Sequence, residues 1–347
     1  MNINEILELA VEQGVSDIHI TVGRPPVFRK NGSVSPVQGF AVLMPDDTRD
    51  LVTQVMSEEQ FEQFQTSGEL DLAYSVAGLG RFRVNTFHQR GSMAMALRRI
   101  NSQILALEQL GMPPVVKELS RRPNGLVLVT GPTGSGKSTT LAAIIDMINR
   151  ERAAHIITLE DPVEYIHQHH KCIVNQREIG ADSKSFTAAL RSAMRQDPDV
   201  ILVGELRDLD TIAIAITAAE TGHLVLGTLH TNNAAQTVDR IIDVFPPYQQ
   251  SQIRVQLAET LRGVIAQQLV PKIGGGRVAS VEILVATPGV RNIIREGKSH
   301  QLMHALQTGG QYGMQTMDSH LKKLMQSGLI SSDDMYARLS SGTATML

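Results

Sequence analysis

The nine residues from Gly131 to Thr139 read GPTGSGKST and constrain the fold more than any other stretch of the chain. They follow the apolar run LVLVT, which predicts a buried strand, and they lead into TTLAAIIDMI, whose apolar spacing predicts a helix. A strand, a glycine-rich loop and a helix in this order form a phosphate loop. The glycines let backbone N–H groups point inward at an anion, and the helix N-terminus adds partial positive charge. The sequence therefore predicts a nucleotide-binding domain.

Each position of this loop is a candidate for nucleotide binding. Lys137 is expected to reach the β- and γ-phosphates, and Ser138 is expected to offer its hydroxyl to magnesium. The predicted cofactors are therefore ATP and Mg²⁺. The nucleotide-binding candidates are Gly131, Pro132, Thr133, Gly134, Ser135, Gly136, Lys137, Ser138 and Thr139.

Carboxylates follow two other predicted strands. ITLEDPVEY places three of them in one short loop, and DPDVILVGELRD places Glu205 directly after Gly204. Ligands of parallel sheets bind beyond the carboxyl ends of the strands, where these side chains should meet. Phosphate-loop ATPases usually end the second of these strands in a magnesium-binding aspartate, so the Gly-Glu pair is unusual. Glu205 could orient or deprotonate the attacking water, with Gly204 permitting close backbone approach. The alternatives are a solvated acidic loop for the first segment and a helix-capping or ion-paired surface glutamate for the second.

Two histidines flank another predicted strand in GHLVLGTLHT. His223 and His230 are seven residues apart, roughly 23 Å along an extended chain, so they are a poor pair for chelating one metal ion. His230 falls at the carboxyl end, where it could sense the γ-phosphate or donate to developing charge. His223 falls at the other end; it is a candidate for nucleotide binding, with a structural or interface histidine as the alternative.

Arginines on two strands of the first ~100 residues are catalytic candidates of another kind. Arg81, Arg83 and Arg98 lie in RFRV and LRR, and Arg81 and Arg83 share one strand face by the two-residue period. An arginine finger supplied across a subunit boundary accelerates phosphoryl transfer by ~10³–10⁵ where it operates. The alternative is a set of solvated strand arginines.

Patterns along the chain predict two domains. The first part alternates apolar and polar residues in short strands, shows a hairpin turn at Asn31-Gly32 and has a helical stretch over Asp46–Phe64, which indicates α+β structure around an antiparallel sheet. After Gly111, Pro113 and Pro114, the pattern changes to strand–loop–helix units of a largely parallel sheet. The predicted boundaries are 1–99 for the first domain, 100–112 for a linker, and 113–347 for the ATPase domain with a helical tail.

Composition narrows the functional classes. The chain has 347 residues, 42% hydrophobic, with a net charge of −3. This charge gives no support to binding nucleic acid or an anionic membrane surface. With one cysteine, Cys172, the chain has neither an internal disulfide nor a cysteine-rich zinc site. The N-terminus does not resemble a signal peptide and no apolar run approaches ~20 residues, so we expect a cytoplasmic protein without direct membrane insertion.

The four segments GPTGSGKST, TLEDPVEY, RQDPDVILVGELRD and GHLVLGTLHT, in this order and spacing, resemble the secretion-ATPase superfamily of type II secretion and type IV pili. The resemblance covers nearly the whole chain and implies a PAS-like N-terminal domain followed by a RecA-like P-loop ATPase domain. In this family the strand does end in Gly-Glu. The resemblance implies that Glu205 is the catalytic carboxylate and Glu164 its partner. It implies that Ser138 and the phosphates hold magnesium, with water-mediated help from Glu164 and Glu205.

Within the superfamily the chain is similar to the pilus retraction ATPases. Extension and type II secretion ATPases usually carry a longer N-terminal region and a four-cysteine zinc site, and neither is found in this sequence. The segment GVRNIIREGK, Gly289 to Lys298, is similar to one typical of retraction ATPases.

This resemblance implies a homohexameric motor with nucleotides near subunit interfaces. Its partners would be an inner-membrane pilus platform protein and possibly a paralogous retraction ATPase. Its place would be the inner face of the cytoplasmic membrane, at the pilus base. Such a motor would serve twitching motility, DNA uptake or attachment.

Three alternatives remain open. The chain could be an accessory retraction ATPase paralogue with weak activity of its own. It could be a RecA-like ring motor acting on nucleic acid, although its acidic pI and lack of tryptophan argue against this. It could also be a nucleotide-dependent scaffold with an inert Glu205, which a turnover assay would decide.

Overall fold

The structure is a computed structural model that describes residues 1–30, 32–100 and 103–339. The chain divides into two compact units, Met1–Gln103 and Ile104–Leu347. Each unit has its own sheet and its own buried core.

The first unit is built on an antiparallel sheet with the strand order β3-β2-β1-β6-β5-β4. Its elements are α1 (Ile3–Glu12), β1 (Asp17–Ile20), β2 (Val27–Lys30), β3 (Ser33–Pro36), α2 (Pro45–Thr53), α3 (Glu58–Ser67), β4 (Glu69–Val76), β5 (Gly80–Gln89) and β6 (Ser92–Arg99). The predicted α+β class of this part is confirmed.

Apolar periodicity explains how these elements bury their faces. Ile3, Ile6, Leu7 and Ala10 form the buried face of α1, as their helical spacing predicts. Alternate residues of β1 are buried in the same way. These side chains join Phe64 of α3 in one core.

Two turns refine the predicted elements. The helical stretch predicted over Asp46–Phe64 is two helices: α2 ends at Thr53, and Ser57 starts α3 as its N-cap, in a reciprocal capping box with Gln60. The predicted hairpin is confirmed by the antiparallel pairing of β2 with β3. Its turn residue Asn31 lies outside the described residues.

The second unit holds a seven-stranded sheet with the order β13-β12-β7-β11-β10-β8-β9. Its strands are β7 (Gly125–Thr130), β8 (His155–Glu160), β9 (Ile173–Glu178), β10 (Val200–Val203), β11 (Leu224–Leu229), β12 (Leu261–Pro271) and β13 (Arg277–Val285). Every pair is parallel except β12 with β13. The predicted α/β class is confirmed.

Helices cover both faces of this sheet. They are α4 (Pro114–Ser120), α5 (Lys137–Glu151), α6 (Phe186–Ala193), α7 (Leu209–Glu220), α8 (Ala234–Asp243), α9 (Pro247–Thr260), α10 (Pro288–Arg295), α11 (Leu302–Thr308), α12 (Met317–Gln326) and α13 (Ser332–Tyr336). Short 3₁₀ helices span Ser299–Gln301 and Gly310–Tyr312. Because β7, β10 and β11 are buried at every position, they read as continuous apolar runs in the sequence.

The antiparallel pair β12–β13 extends the sheet beside the phosphate-loop strand. Residues Gly263 to Pro271 of β12 pair in register with Val285 to Arg277 of β13, while β12 also pairs in parallel with β7. The pair therefore forms a hairpin with one strand directly next to β7. Its outer strand leads into α10, which contains the GVRNIIR residues, with Glu296 as its C-cap.

The one cysteine of the sequence is enclosed. Cys172 is buried, with 2% of its surface exposed, and burial raises the pKa of its thiol.

Among the residues that the structure describes, no helix combines the length and apolar character needed to cross a bilayer.

Candidate active site

A polar cavity of about 490 Å³ lies at the carboxyl ends of the parallel strands in the second unit. The phosphate loop forms one wall, and the loops after β8, β10 and β11 contribute the others. The lining residues that carry polar side chains are Thr133, Lys137, Ser138, Thr139, Glu160, Asp161, Glu164, Glu205, Arg207, Thr228, His230 and Arg277. Polar side chains from five separate sequence segments thus meet in one place, four of them brought together by the parallel strands and the fifth, Arg277, contributed by β13.

The phosphate loop closes over the start of α5. Gly131, Gly134 and Gly136 all have positive φ angles, of 142°, 79° and 88°, a backbone conformation that glycine adopts without steric cost. The Lys137 ammonium donates to the carbonyl oxygens of Gly131 at 2.8 Å and Pro132 at 3.1 Å. Burial lowers the pKa of Lys137, and the carboxylates of Glu205 and Glu164 oppose that shift. These three charged groups therefore share one electrostatic environment.

Gly204 brings the end of β10 against the end of β8. Its N–H donates to the Leu159 carbonyl at 2.7 Å, and a Cβ at Gly204 would lie 3.0 Å from that same oxygen. The hydroxyl of Thr228 also donates to the Gly204 carbonyl. Only glycine fits comfortably between the neighbouring strands, which explains why it precedes the glutamate.

The Glu205 carboxylate is held by two cationic or donor groups. Its Oε1 lies 2.6 Å from Nε of Arg207 and 3.1 Å from Nε2 of His230, and 18% of the side chain is exposed. A carboxylate only accepts, so His230 donates from Nε2. Within the described residues, both of these contacts use Oε1, which leaves Oε2 available to other partners.

The acidic loop after β8 separates two carboxylates by environment. Glu160 is enclosed and accepts from the Thr158 hydroxyl at 2.6 Å and from the Gln176 amide at 3.2 Å. Burial raises the pKa of Glu160, with the nearby charge of Glu164 acting in the same direction. Glu164 lines the cavity and is exposed, so it is the carboxylate of this pair that is free to meet solvent or a ligand.

The structure does not bring every candidate to the cavity. His223 lies at the opposite end of β11 from His230, where its Nδ1 contacts the Ala218 carbonyl at 2.9 Å. Arg81 and Arg83 lie on β5 and Arg98 lies on β6, all in the first unit. Arg98 forms an ion pair with Asp17 at 2.7 Å. The roles proposed for these four residues therefore stay predictions.

Two cationic residues of the cavity were not predicted from the sequence. Arg207 follows Glu205 by two residues, and that spacing in GELRD was the available signal. Arg277 begins β13 and reaches the cavity from a hairpin far along the chain, so no local pattern could identify it. Together with Lys137, they place three cationic side chains at the cavity.

This arrangement defines a class of protein. The site has a glycine-rich anion nest at a helix N-terminus, with a lysine over it. It also has a glutamate that lines the cavity and is held beside a histidine. These are the parts of a phosphate-loop ATPase. A nest of this kind can bind phosphates, and a glutamate at this position can act on a water molecule beyond them.

Comparisons with known proteins place the chain more closely. Residues 1–276 match the type II/IV secretion system protein family. The chain is 50% identical over 334 residues to the type IV pilus retraction ATPase PilT of Pseudomonas aeruginosa, covering 96% of this chain and 97% of PilT. It is 45% identical over 342 residues to the type IV pilus ATPase PilU of the same organism, covering 98% and 89%.

A solved structure agrees with these sequence comparisons. The crystal structure of the pilus retraction motor PilT with bound ADP has a TM-score of 0.92 and 51% identity, covering 97% of this chain and 96% of that one. The chain belongs to the type II/IV secretion system protein family, and it is an ATPase of that family. The resemblance to retraction ATPases and the predicted RecA-like domain are confirmed.

Proposed function

We propose that this chain is a motor ATPase that hydrolyses ATP to drive type IV pilus retraction. The observation that carries the proposal is the 50% identity to PilT over almost the full length of both proteins. The single cavity that contains Lys137, Ser138, Glu164 and Glu205 supplies a site for the chemistry. ATP is the nucleotide expected there.

The residues of the cavity divide the work of hydrolysis. The phosphate loop and Lys137 bind and orient the phosphates. Glu205 accepts a proton from the attacking water through Oε2, while Arg207 and His230 fix the carboxylate through Oε1. A positioned general base of this kind contributes ~10²–10⁴ to the rate. Arg277 adds positive charge at the same cavity.

The donor set of this cavity fits Mg²⁺. Ser138, Glu164 and Glu205 are hard oxygen donors, which magnesium prefers, and magnesium commonly keeps several waters beside phosphate oxygens. Within the described residues, no group of three His, Cys, Asp or Glu side chains forms a closed metal cage. Ser138 would hold the ion together with the phosphates, and Glu164 and Glu205 would act through water. Bound there, Mg²⁺ would neutralise charge that develops on the phosphates.

We propose further that the chain works as a homohexamer in the cytoplasm. Arg81, Arg83 or Arg98 of one subunit would complete the cavity of the next, because these arginines belong to the first unit and the phosphate loop to the second. The ring would act peripherally at the inner face of the cytoplasmic membrane, on the platform protein at the pilus base. No contact with nucleic acid is required for this function.

The direct test is deletion of the gene followed by counting of surface pili. Loss of a retraction motor should leave excess pili that do not shorten, and the intact gene should restore shortening. A Glu205→Gln gene should fail to restore it. Normal pilus number and retraction in the deletion strain would contradict the proposal.

The 45% identity to PilU favours one second candidate, an accessory pilus ATPase. The two functions differ in what the chain does alone. A strain that has this chain as its sole retraction ATPase should retract pili if the chain is the principal motor. An accessory ATPase would leave that strain unable to retract, although the purified chain would still hydrolyse ATP.

A further inference from the structure

Gln267 lies on β12 immediately beside the phosphate loop. Its strand neighbour Ala266 pairs with Thr130, the last residue of β7, so Gln267 stands next to Gly131. Only 2% of Gln267 is exposed. A buried glutamine at this place is costly unless its amide is hydrogen-bonded.

Both ends of the Gln267 amide are used, and both reach the nucleotide-binding segment. Nε2 donates to the Ser135 carbonyl at 2.7 Å, inside the phosphate loop. Oε1 accepts from the hydroxyl of Thr140 at 2.8 Å, in the first turn of α5. One side chain from a distant strand therefore joins the loop to the helix that it precedes.

The contact with Ser135 fixes the orientation of one peptide group. The peptide bond is planar and trans, so the Ser135 carbonyl and the Gly136 N–H point in opposite directions. With the carbonyl turned to Gln267, the Gly136 N–H is turned away from it, at a residue that lines the cavity. A phosphate loop binds anions through N–H groups held in this inward direction.

Gly136 makes this orientation vulnerable. Its φ is 88°, and glycine populates positive and negative φ about equally, so the Ser135–Gly136 peptide could turn over at low cost. Such a turn would present a carbonyl oxygen to the phosphates. The fit on this side is also close, since a Cβ at Gly136 would lie 2.8 Å from Nε2 of Gln267.

We propose that Gln267 is a positioning residue that locks the Ser135–Gly136 peptide with its N–H toward the nucleotide phosphates. It acts through the loop and does not contact the reacting atoms. The hydrogen bond to Ser135 carries this role, and the bond to Thr140 holds the glutamine in place. The proposal rests on nucleotide binding by the cavity and is independent of pilus retraction.

The test measures the dissociation constant for ADP and the steady-state kinetics of ATP hydrolysis in purified full-length variants. Gln267→Met keeps the side-chain length and removes both hydrogen bonds. We expect ADP affinity to fall by about 10- to 100-fold. We expect KM for ATP to rise to match, with kcat within about three-fold, because Glu205 lies in the loop after β10 and is untouched.

Three further variants separate positioning from packing. Gln268→Met is the matched control, since Gln268 is the next residue of β12 and points to the other face; it should stay within two-fold of the wild type. Thr140→Val, which removes only the helix contact, should weaken ADP binding by less than about three-fold. Gln267→Glu should bind ADP worse than Gln267→Met, because its carboxylate repels the Ser135 carbonyl.

Melting temperatures are measured on the same samples. Equal ADP affinity of Gln267→Met and Gln268→Met, or a fall in kcat without a rise in KM, would overturn the proposal. If Gln267→Met does not fold, Gln267→Asn replaces it, since the shorter amide cannot span both partners. Failure of both variants to fold would make Gln267 a core residue and would equally overturn the positioning role. If a strain with Gln267→Met loses pilus retraction while the purified variant binds ADP normally, this inference is wrong and the proposed motor function still stands.

Discussion

Glu205 stands where phosphate-loop ATPases usually have an aspartate. Gly204 lies between the ends of β8 and β11, so the next residue emerges directly over the cavity. The longer glutamate side chain then reaches Arg207 and His230, which a carboxylate one methylene shorter would not meet in the same way. In the Gly-Glu pair, the longer side chain therefore covers the distance between the strand end and the position of the carboxylate.

Glu205→Gln should abolish turnover while ATP still binds. The amide keeps the shape of the side chain but cannot accept the proton of the attacking water, and the phosphate loop is unchanged. We expect kcat to fall by at least ~10²-fold with an ATP dissociation constant within a few-fold of the wild type. Single-turnover hydrolysis and equilibrium binding measure the two quantities. A variant that keeps more than a tenth of wild-type kcat would show that Glu205 is not the base.

Lys137→Ala should give the opposite pattern. The ammonium is half-buried among loop carbonyls and balances the charges of Glu205 and Glu164. Its removal takes away the cation expected to pair with the phosphates, so affinity for ADP and ATP should fall by ~10-fold or more. Titration of a fluorescent ADP analogue measures the loss. Unchanged affinity would mean that the lysine points away from the nucleotide.

At the scale of elements, the phosphate loop is tightly enclosed by its neighbours. Gly131 has a φ of 142°, and a Cβ there would lie 2.2 Å from the carbonyl oxygen of Gln267. The loop can therefore adopt its shape only because β12 runs close beside β7 and because the residue at this position has no side chain.

Gly131→Ala should destabilise the protein more than an alanine at another left-handed glycine. Gly222 is the matched control, since its φ is 111° and nothing lies within 4 Å of a Cβ there. Both substitutions carry backbone strain, but only Gly131→Ala adds a collision with a strand. We expect it to cost ~1–3 kcal/mol more in free energy of unfolding. Urea denaturation of the two variants measures the difference, and equal midpoints would contradict the close packing of Gly131 against β12.

The same elements show what sequence can and cannot predict. The strands β7, β8, β10 and β11 are recognisable because central parallel strands are apolar on both faces. β12 is not, since it follows α9 without a turn signal and carries Gln267 and Gln268 in its centre. The contact between Gln267 and Ser135 spans 132 positions in the chain, so no local pattern could reveal it. Motif residues such as Lys137 and Glu205 were predictable because each belongs to a short motif that directly follows an apolar strand.

For the whole molecule, acid should weaken the fold through buried histidines. His320 on α12 accepts a hydrogen bond at Nδ1 from the Val281 N–H, and burial lowers its pKa from 6.5 to about 4. The neutral form therefore stabilises the fold above pH 6.5, and this contribution is lost as the pH falls toward 4. Buried Glu160 and Glu282 act in the opposite direction, because burial raises their pKa values.

His320→Asn isolates this effect, since its amide oxygen can still accept from Val281 and asparagine does not titrate. At pH 7.5 the variant should be less stable than the wild type because it packs less well. At pH 5 the gap between them should shrink by ~2 kcal/mol, as the wild type loses its histidine contribution. Denaturation curves at both pH values measure the gap. His300→Asn at an exposed site is the control, and an unchanged gap for His320→Asn would contradict a neutral buried imidazole.

Catalysis by the assembled protein should need arginines from a neighbouring subunit. Subunits with Glu205→Gln keep their arginines, and subunits with Arg81, Arg83 and Arg98 replaced by alanine keep their glutamate. Each should be inactive alone, and mixed assemblies should recover part of the activity, because some cavities then receive an intact arginine and an intact glutamate. ATPase assays over a range of mixing ratios measure the recovery. No recovery in confirmed mixed assemblies would count against arginines that act between subunits.

The buried Cys172 has a practical consequence. Its thiol is enclosed and its pKa is raised, so it reacts poorly with maleimides and spin-label reagents. Any cysteine introduced on the surface would then be the single reactive thiol of the chain. The unaltered background thus suits single-site labelling with fluorophores, crosslinkers or spin labels, and distances between copies can be followed during turnover without first removing a native cysteine.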